Sequence, residues 1–376
     1  MRSEHSKVVF LFWGMIAILA GGSLLAQDAE FSENENRILA KRPSPSFAGI
    51  REGSFQEELE SYLQDHLILR DEWNALHSMV LLAAGDTDIG GAYVGEDGFD
   101  FEKITEAEVD DRRIEANTRA LKEFLERQEE ALGRGRAAFI LVPTSGLVLA
   151  EKVPEGAPLF DQEAIMDRIC GALSELNIIN IQSIFAQEEE PGELYYHTDH
   201  HWKTHGAYLA YRAWNPAAPP EEDYRITKVT ERFRGSLYSR VLNANSLWDS
   251  IERYDLPREG EIPGLYDEAR LAEKDKYAYF LGGNQALVTI DNPGKEDGHL
   301  LVIKDSFANA FVPFAARDFA RTSLIDLRYF TEDVEEYIAG QQVTDVLVLY
   351  NISNFISDRN VGRLGSSLLD RKVQKE

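Results

Sequence analysis

Apolar and polar positions alternate along the chain in two rhythms, and these rhythms mark out its elements. From Ser54 to Ala84, Phe55, Leu59, Tyr62, Leu63, Leu67, Leu69, Trp73, Leu76, Val80 and Leu81 recur at helical spacing, interrupted by His66 and Arg70-Asp71, which read as a surface pair flanking a turn. Gly85 to Gly98 is rich in Gly and Asp and predicts turns around short strands such as Ala92-Tyr93-Val94. A long amphipathic helix follows from Thr105 to Leu132, with Gly133 as its stop. Ala137 to Val142 is then an uninterrupted apolar run ended by Pro143, as expected of a strand covered on both faces. A helix over 162–176 and a strand over 178–181 continue the alternation, and Thr204 to Trp214 is a helix closed by Asn215-Pro216. Residues 225–275 carry no strong period, although Arg234 to Tyr238 reads as a turn near the candidate site. In the last third, strands are expected over Tyr277–Leu281, Ala286–Ile290, Leu300–Ile303, Thr322–Leu327 and Val346–Tyr350. Helices are expected from Ser306 to Phe319, over Glu332–Gly340 and over Ile356–Leu369. Helices and strands in alternation predict an α/β fold with a mostly parallel sheet.

The N-terminus differs from this pattern. Arg2 and Lys7 precede Val8 to Ala26, a stretch without a single charge. Its length approaches the roughly 20 residues that cross a bilayer, and the cationic flank also fits a signal peptide. Residues 1–26 are therefore expected to be a signal peptide or membrane anchor, and the chain to be exported, on the outer face of the cytoplasmic membrane or secreted. Residues 27–104, opening with the polar, proline-containing Phe31–Phe47, form an N-terminal extension, and 105–376 the α/β domain. A formal net charge of -26 argues against nucleic acid, whose phosphates need a basic surface. A neutral or masked polysaccharide suits such a surface better than a naked polyanion. The single cysteine, Cys170, excludes an intramolecular disulfide and sits within an apolar helical pattern.

Two places carry chemistry. Ser306 follows the buried strand Leu300–Ile303 and opens a helix, and ligands bind outside the carboxyl ends of strands in such sheets. The helix N-terminus offers partial positive charge for a developing oxyanion, while Asp305 and Ser306 are equally good helix caps. The second place is Glu193 to Trp214, where His197, His200, His201 and His205 crowd around Asp199. Residues two apart in an extended segment face the same way, so Asp199 and His201 project together. A carboxylate beside an imidazole fixes its tautomer and stabilises the imidazolium, as a serine relay requires. Ser306 is thus the candidate nucleophile, His201 its base and Asp199 the orienting acid. Trp202 would wall the site from water, and with Tyr196 it is a candidate substrate contact. The alternative is a metal-dependent hydrolase using the cluster from His197 to His205, with His299 as a further partner, although no H-E-x-x-H pattern is present.

The motif Asp199-His200-His201-Trp202 resembles the signature of the bacterial DHHW family. The resemblance extends over Glu35-Asn36-Arg37, Leu69-Arg70-Asp71, Pro143-Thr144-Ser145, Leu194 to Tyr208, Gly283-Asn284, Lys304-Asp305-Ser306-Phe307, Asp326 to Tyr329 and Val346 to Asn351. It implies an SGNH-hydrolase-like, flavodoxin-like fold with helices on both faces of the sheet, shared with proteins that O-acetylate alginate in the periplasm. It also implies a triad of Ser306, His201 and Asp199, no cofactor, and site-lining roles for Arg328 and Asn351. By this resemblance the chain would be an O-acetyltransferase or O-acetylesterase acting on an extracellular or cell-envelope glycan, with a membrane acyl-donor protein as a further partner. A non-catalytic carbohydrate-binding or assembly protein of the same fold is the remaining alternative. The chain departs from the family pattern at Lys304, which stands where the related enzymes have glycine before Asp-Ser.

Overall fold

A computed structural model of the chain describes residues 2–32, 37–257 and 260–365. Glu35 and Asn36 of the resemblance, and the end of the helix expected over Ile356–Leu369, lie outside the described residues. Internal packing divides the chain into two compact units, residues 1–89 with 239–244, and residues 90–238 with 245–376.

The first unit is helical. Helix α1 spans Arg2–Leu25, and its side chains from Val8 to Trp13 are exposed. Among the described residues no helix is long and apolar enough to cross a membrane. The single helical period over Ser54–Ala84 proves to be two helices, α2 (Ser54–Asp65) and α3 (Arg70–Ala83). The break falls at Leu69, which takes a left-handed backbone with φ of 59°. His66 does more than flank this turn, because its ring stacks on Tyr62 at 4.4 Å and bonds the carbonyls of Tyr62 and Ala29.

The second unit opens with an antiparallel hairpin, β1 (Ala92–Val94) and β2 (Asp100–Glu102). Helix α4 (Asp111–Leu132) starts later than the periodicity suggests, because Thr105 and Glu108 first form a capping box around a short 3-10 turn. Strand β3 (Ala137–Val142), helix α5 (Gln162–Ala172), strand β4 (Ile178–Asn180) and helix α6 (Thr204–Trp214) follow. The stretch without period contains a hairpin of its own, β5 (Arg225–Phe233) and β6 (Asp249–Asp255), whose register slips twice. Then come β7 (Leu287–Asp291), β8 (His299–Lys304), α7 (Ala308–Ala315), β9 (Arg321–Ile325), α8 (Val334–Gly340), β10 (Asp345–Asn351) and α9 (Ile352–Ser357).

Six strands form the central sheet in the order β7-β9-β8-β10-β3-β4. All neighbours are parallel except β7, which runs antiparallel along the β9 edge. This is the mixed α/β sheet the alternation predicts. Successive side chains of a strand point to opposite faces, and here both faces are covered. Leu300, Val302, Ile140 and Leu347 pack with Tyr208, Tyr211, Phe311 and Phe314 from α6 and α7. Leu301, Ile303, Phe139 and Val348 pack on the other side with Leu121, Phe124 and Ile169 from α4 and α5. Each such aliphatic side chain contributes roughly 1.5–3 kcal/mol on full burial, which is why these strands read as unbroken apolar runs. The expected strand at Tyr277–Leu281 is instead a 3-10 turn, Lys276–Tyr279. Its aromatic residues are all buried, so no face of it is polar, and Leu281 turns left-handed with φ of 61°.

Candidate active site

The stretch before α6 is a closed loop. Tyr195 and Trp202 form an antiparallel backbone bridge, and the Lys203 amide donates to the Leu194 carbonyl at 2.8 Å. The loop between them rests on the buried carboxylate of Asp249 at the start of β6. Asp249 accepts from the His197 amide at 3.1 Å, the Thr198 amide at 3.2 Å and the Thr198 hydroxyl at 3.0 Å, and bonds the His197 ring at 2.8 Å. The Thr198 carbonyl in turn accepts the amides of Leu237 and Tyr238, at 3.1 and 3.0 Å. This polar seat fixes the backbone from which Asp199 and His201 project.

Asp199 Oδ1 lies 2.5 Å from His201 Nδ1, and His201 Nε2 lies 2.7 Å from Ser306 Oγ. The second carboxylate oxygen of Asp199 accepts the Ser236 amide at 2.7 Å, and Oδ1 also accepts the His201 amide at 2.9 Å. A side chain on Gly235 would overlap the Asp199 carboxyl, so only glycine lets the Arg234–Ser236 turn approach closely enough to donate. The His201 ring is pressed flat against Tyr277, at 3.8 Å between centroids and 11° between planes. Trp202 ties the loop to the serine, its indole N–H donating to the Phe307 carbonyl at 2.9 Å.

Ser306 lies just past β8 and ahead of α7, where the positive end of the helix dipole faces any charge that forms. The preceding Asp305 is fully buried and accepts the amides of Phe307 and Asn351, at 2.9 and 2.7 Å, and the Asn354 side chain at 2.8 Å. These bonds clamp the turn to the ends of β8 and β10. The Lys304 ammonium is also buried, yet it does not crowd Ser306. It turns aside to donate to Asn309 at 2.7 Å and Asn284 at 2.9 Å.

Electrostatics suit proton transfer. Burial raises the Asp199 carboxyl, but the charges of His201 and His200, with hydrogen bonds from the His201 ring and the Ser236 amide, outweigh it and hold the group ionised. Burial, helped by the neighbouring His200, pushes His201 down to about 4 against the pull of Asp199. At neutral pH the pair is therefore carboxylate and neutral imidazole, the state that accepts a proton. Burial pushes Lys304 down to about 8, opposed by Asp326 and Asp305. Beneath the loop, burial and the charge of Asp249 push the Asp100 carboxyl up to about 7.

Of the residues predicted for the site, Ser306, His201 and Asp199 meet in one hydrogen-bonded chain. Trp202 is buried behind them. Tyr196 is buried too, edge-on to Phe233 and Tyr277, and so supports the His201 shelf from below. Asn351 points its amide at the carbonyls of Val142 and Pro143 and accepts from Ser353, capping α9. Arg328 is paired in two bonds with the buried Asp326, at 2.6 and 2.9 Å, and stays partly exposed. The histidine cluster is dispersed: His197 is held by Asp249, and His205 lies 2.9 Å from Glu221 and 3.4 Å from Glu188. His299 begins β8, at the end away from Ser306, and bonds Gln341 and Ser323. Asp199, His200 and His201 remain together, with candidate ligand atoms within 4.8 Å of one another. Both nitrogens of His201 already serve Asp199 and Ser306. The sequence reading missed Tyr277, Asp249 and the paired Asn284 and Asn309. Of the segments that support the loop, the sequence places the Arg234–Tyr238 turn near the site.

The mostly parallel sheet with helices on both faces has the architecture of an SGNH hydrolase-like domain. Residues 93–248 match the family model described as SGNH hydrolase-like domain, acetyltransferase AlgX, and residues 263–325 match that described as DHHW protein. Asp199 to Trp202 fall within the first match and Ser306 within the second. Among solved structures, a DHHW family protein from Eubacterium siraeum is 22% identical, with a TM-score of 0.58 over 73% of this chain and 95% of that one. PatB1 of Bacillus cereus is 22% identical, with a TM-score of 0.60 over 70% and 97% of the two chains. The same protein with a sulfonyl adduct gives 21% and 0.59 over 72% and 96%. These likenesses establish the fold. No curated protein matches the chain.

Proposed function

We propose that the protein is a serine acyl-ester enzyme, an O-acetyltransferase or O-acetylesterase acting on a glycan outside the cytoplasm. The observation that carries this reading is the unbroken chain from Asp199 through His201 to Ser306. Ser306 Oγ attacks the acyl carbonyl carbon as its proton passes to His201 Nε2. The oxyanion that forms faces the N-terminus of α7. On its collapse the donor's C–O bond breaks, the leaving oxygen takes the proton from His201, and the acyl group stays on Ser306. A sugar hydroxyl or water then gives its proton to His201 as it attacks the acyl carbon, and the acyl–Oγ bond breaks as His201 returns that proton to Ser306 Oγ. Asp199 holds the ring and offsets its positive charge throughout. The match to an acetyltransferase family model supports acetyl as the group carried. The uncharged run from Val8 to Ala26 supports export.

The test is intact-mass analysis after 4-nitrophenyl acetate. Wild type should gain one acetyl group that peptide mapping places on Ser306, and Ser306→Ala should gain none. A sulfonyl fluoride should compete for the same residue, in keeping with the sulfonyl adduct of PatB1. Equal ester turnover by wild type and Ser306→Ala would sink the reading. Turnover abolished by a chelator and restored by zinc would favour metal-assisted hydrolysis at Asp199, His200 and His201.

A further inference from the structure

The segment that leads into β6 turns its side chains in opposite directions. Asp249 is buried beneath the catalytic loop, whereas Trp248 keeps 57% of its surface exposed. Leu247 is seated on the Gly98 turn, where a side chain on Gly98 would fall 2.8 Å from it. One face of the Trp248 indole is already occupied. The Arg234 guanidinium lies 4.1 Å from the indole centroid and 4.6 Å from the Tyr238 ring, and it donates to the Ser246 carbonyl. A cation held over an aromatic face adds rigidity as well as attraction. The indole is thus braced from behind and exposed in front.

Its placement supplies a second, independent observation. Arg234 precedes by two residues Ser236, whose amide holds Asp199 and whose hydroxyl meets His200 at 2.7 Å. Trp248 directly precedes Asp249, which seats His197 and Thr198. Both partners of the stacked pair are therefore built on the two segments that position the catalytic loop. A ligand bound there rests on the same two segments that position that loop.

We propose that Trp248, braced by Arg234 and Tyr238, is a stacking platform for a neutral β-linked pyranoside. In such glycans the ring presents a flat face of C–H groups, which are weakly positive and match the negative face of an indole. The chain's net charge of -26 disfavours a polyanion, and the Arg234 guanidinium is already committed to two rings and a carbonyl. The platform gives the acyl-transfer reading its acceptor subsite, and it rests on that reading only for its place in the reaction.

The experiment is isothermal titration calorimetry on the full chain with cellohexaose, and with a hexamer of galacturonic acid as the charged comparison. Wild type should bind cellohexaose and bind the uronate oligomer more weakly. Trp248→Ala should weaken cellohexaose binding tenfold or more, and Trp248→Phe, which keeps a ring, should fall between. Circular dichroism and thermal melting establish that each variant is folded. The proposal is overturned if wild type does not bind cellohexaose, if folded Trp248→Ala binds it as well as wild type, or if the uronate oligomer binds more tightly. Acetylation of Ser306 is measured on the same wild-type preparation. Its loss would strike the acyl-enzyme and leave the platform standing, whereas loss of sugar binding alone would do the reverse.

Discussion

The loop carrying Asp199 and His201 and the turn carrying Ser306 deliver their side chains to one point by opposite means. The turn is the end of a fully buried strand, so its position follows from packing on both faces of the sheet. The loop has no such sheet beneath it: the rings of Tyr195, Tyr196 and Trp202 are buried, and its backbone is fixed by hydrogen bonds to Asp249, Ser236 and the bridge at Tyr195. Their two buried carboxylates make the contrast plain. Burial raises both Asp199 and Asp305, but two imidazoles beside Asp199 bring it down, whereas Asp305, met chiefly by neutral N–H donors, stays raised. The loop is where charge is managed, and the turn is where shape is fixed.

Substitutions can break this division of labour, beginning with the loop's own acid. Asp199→Asn keeps the shape but loses the charge and the tautomer, and should lower ester turnover about 10⁴-fold. In wild type the acid limb of kcat/KM should lie near pH 4, well below the ordinary imidazole range, because His201 must be neutral to act. A limb at pH 6.5 would show that burial does not set the base.

Gly235→Ala tests the loop's geometry without replacing a titrating group. The new methyl overlaps the Asp199 carboxyl, so the dyad must shift. A displacement of this kind costs on the order of 10²-fold in kcat. Unchanged turnover would mean the turn yields freely.

At the strand end the expected effects fall on stability. Lys304→Met leaves the Asn309 oxygen without its ammonium donor and the Asn284 oxygen with only the Asn309 amide at 3.3 Å, a loss of about 1–3 kcal/mol in denaturant unfolding at neutral pH. The pH dependence has a definite sign. The folded-state value for Lys304 is about 8 against an ordinary 10.5, so the unfolded chain binds more protons between these values. Wild type should therefore gain stability relative to the variant as pH rises through that window. The smallest hydrogen-bond effect belongs to Trp202→Phe, which removes the indole bond from loop to turn. It should cost roughly 0.5–1.5 kcal/mol beyond the change in packing, read from the unfolding midpoint.

The same contrast explains what the sequence made legible. Strands such as Ala137–Val142 and Leu300–Ile303 were readable because burial on both faces leaves no room for a polar residue. Asp199 and His201 were readable because their spacing alone aligns them. Residues that act through their backbone left little trace: Ser236 uses an amide, and Gly235 matters for what it lacks. Tyr277 was hidden inside an aromatic run that looks like a strand. Strands β5 and β6 were missed because most β5 side chains meet solvent and its register slips, so the two-residue rhythm is blurred. Lys304 stands out in the sequence only as a departure from glycine, because the side-chain amides that accept from it come from Asn284 and Asn309, neither of which the spacing connects to it.

Asp100, buried under the loop that carries Asp199 and His201, makes the protein a proton exchanger when it folds. Its folded value near 7 against an ordinary 3.8 means the native chain holds a proton there that the unfolded chain releases between these limits. That contribution to stability shrinks as pH rises. His201 behaves in the reverse sense between about 4 and 6.5, where the unfolded chain holds the proton and the native chain does not. Folding at mildly acidic pH thus takes up a proton at one group and expels one from the other. The two slopes oppose each other over nearly the same interval, so the contributions of these two groups largely offset each other as pH falls.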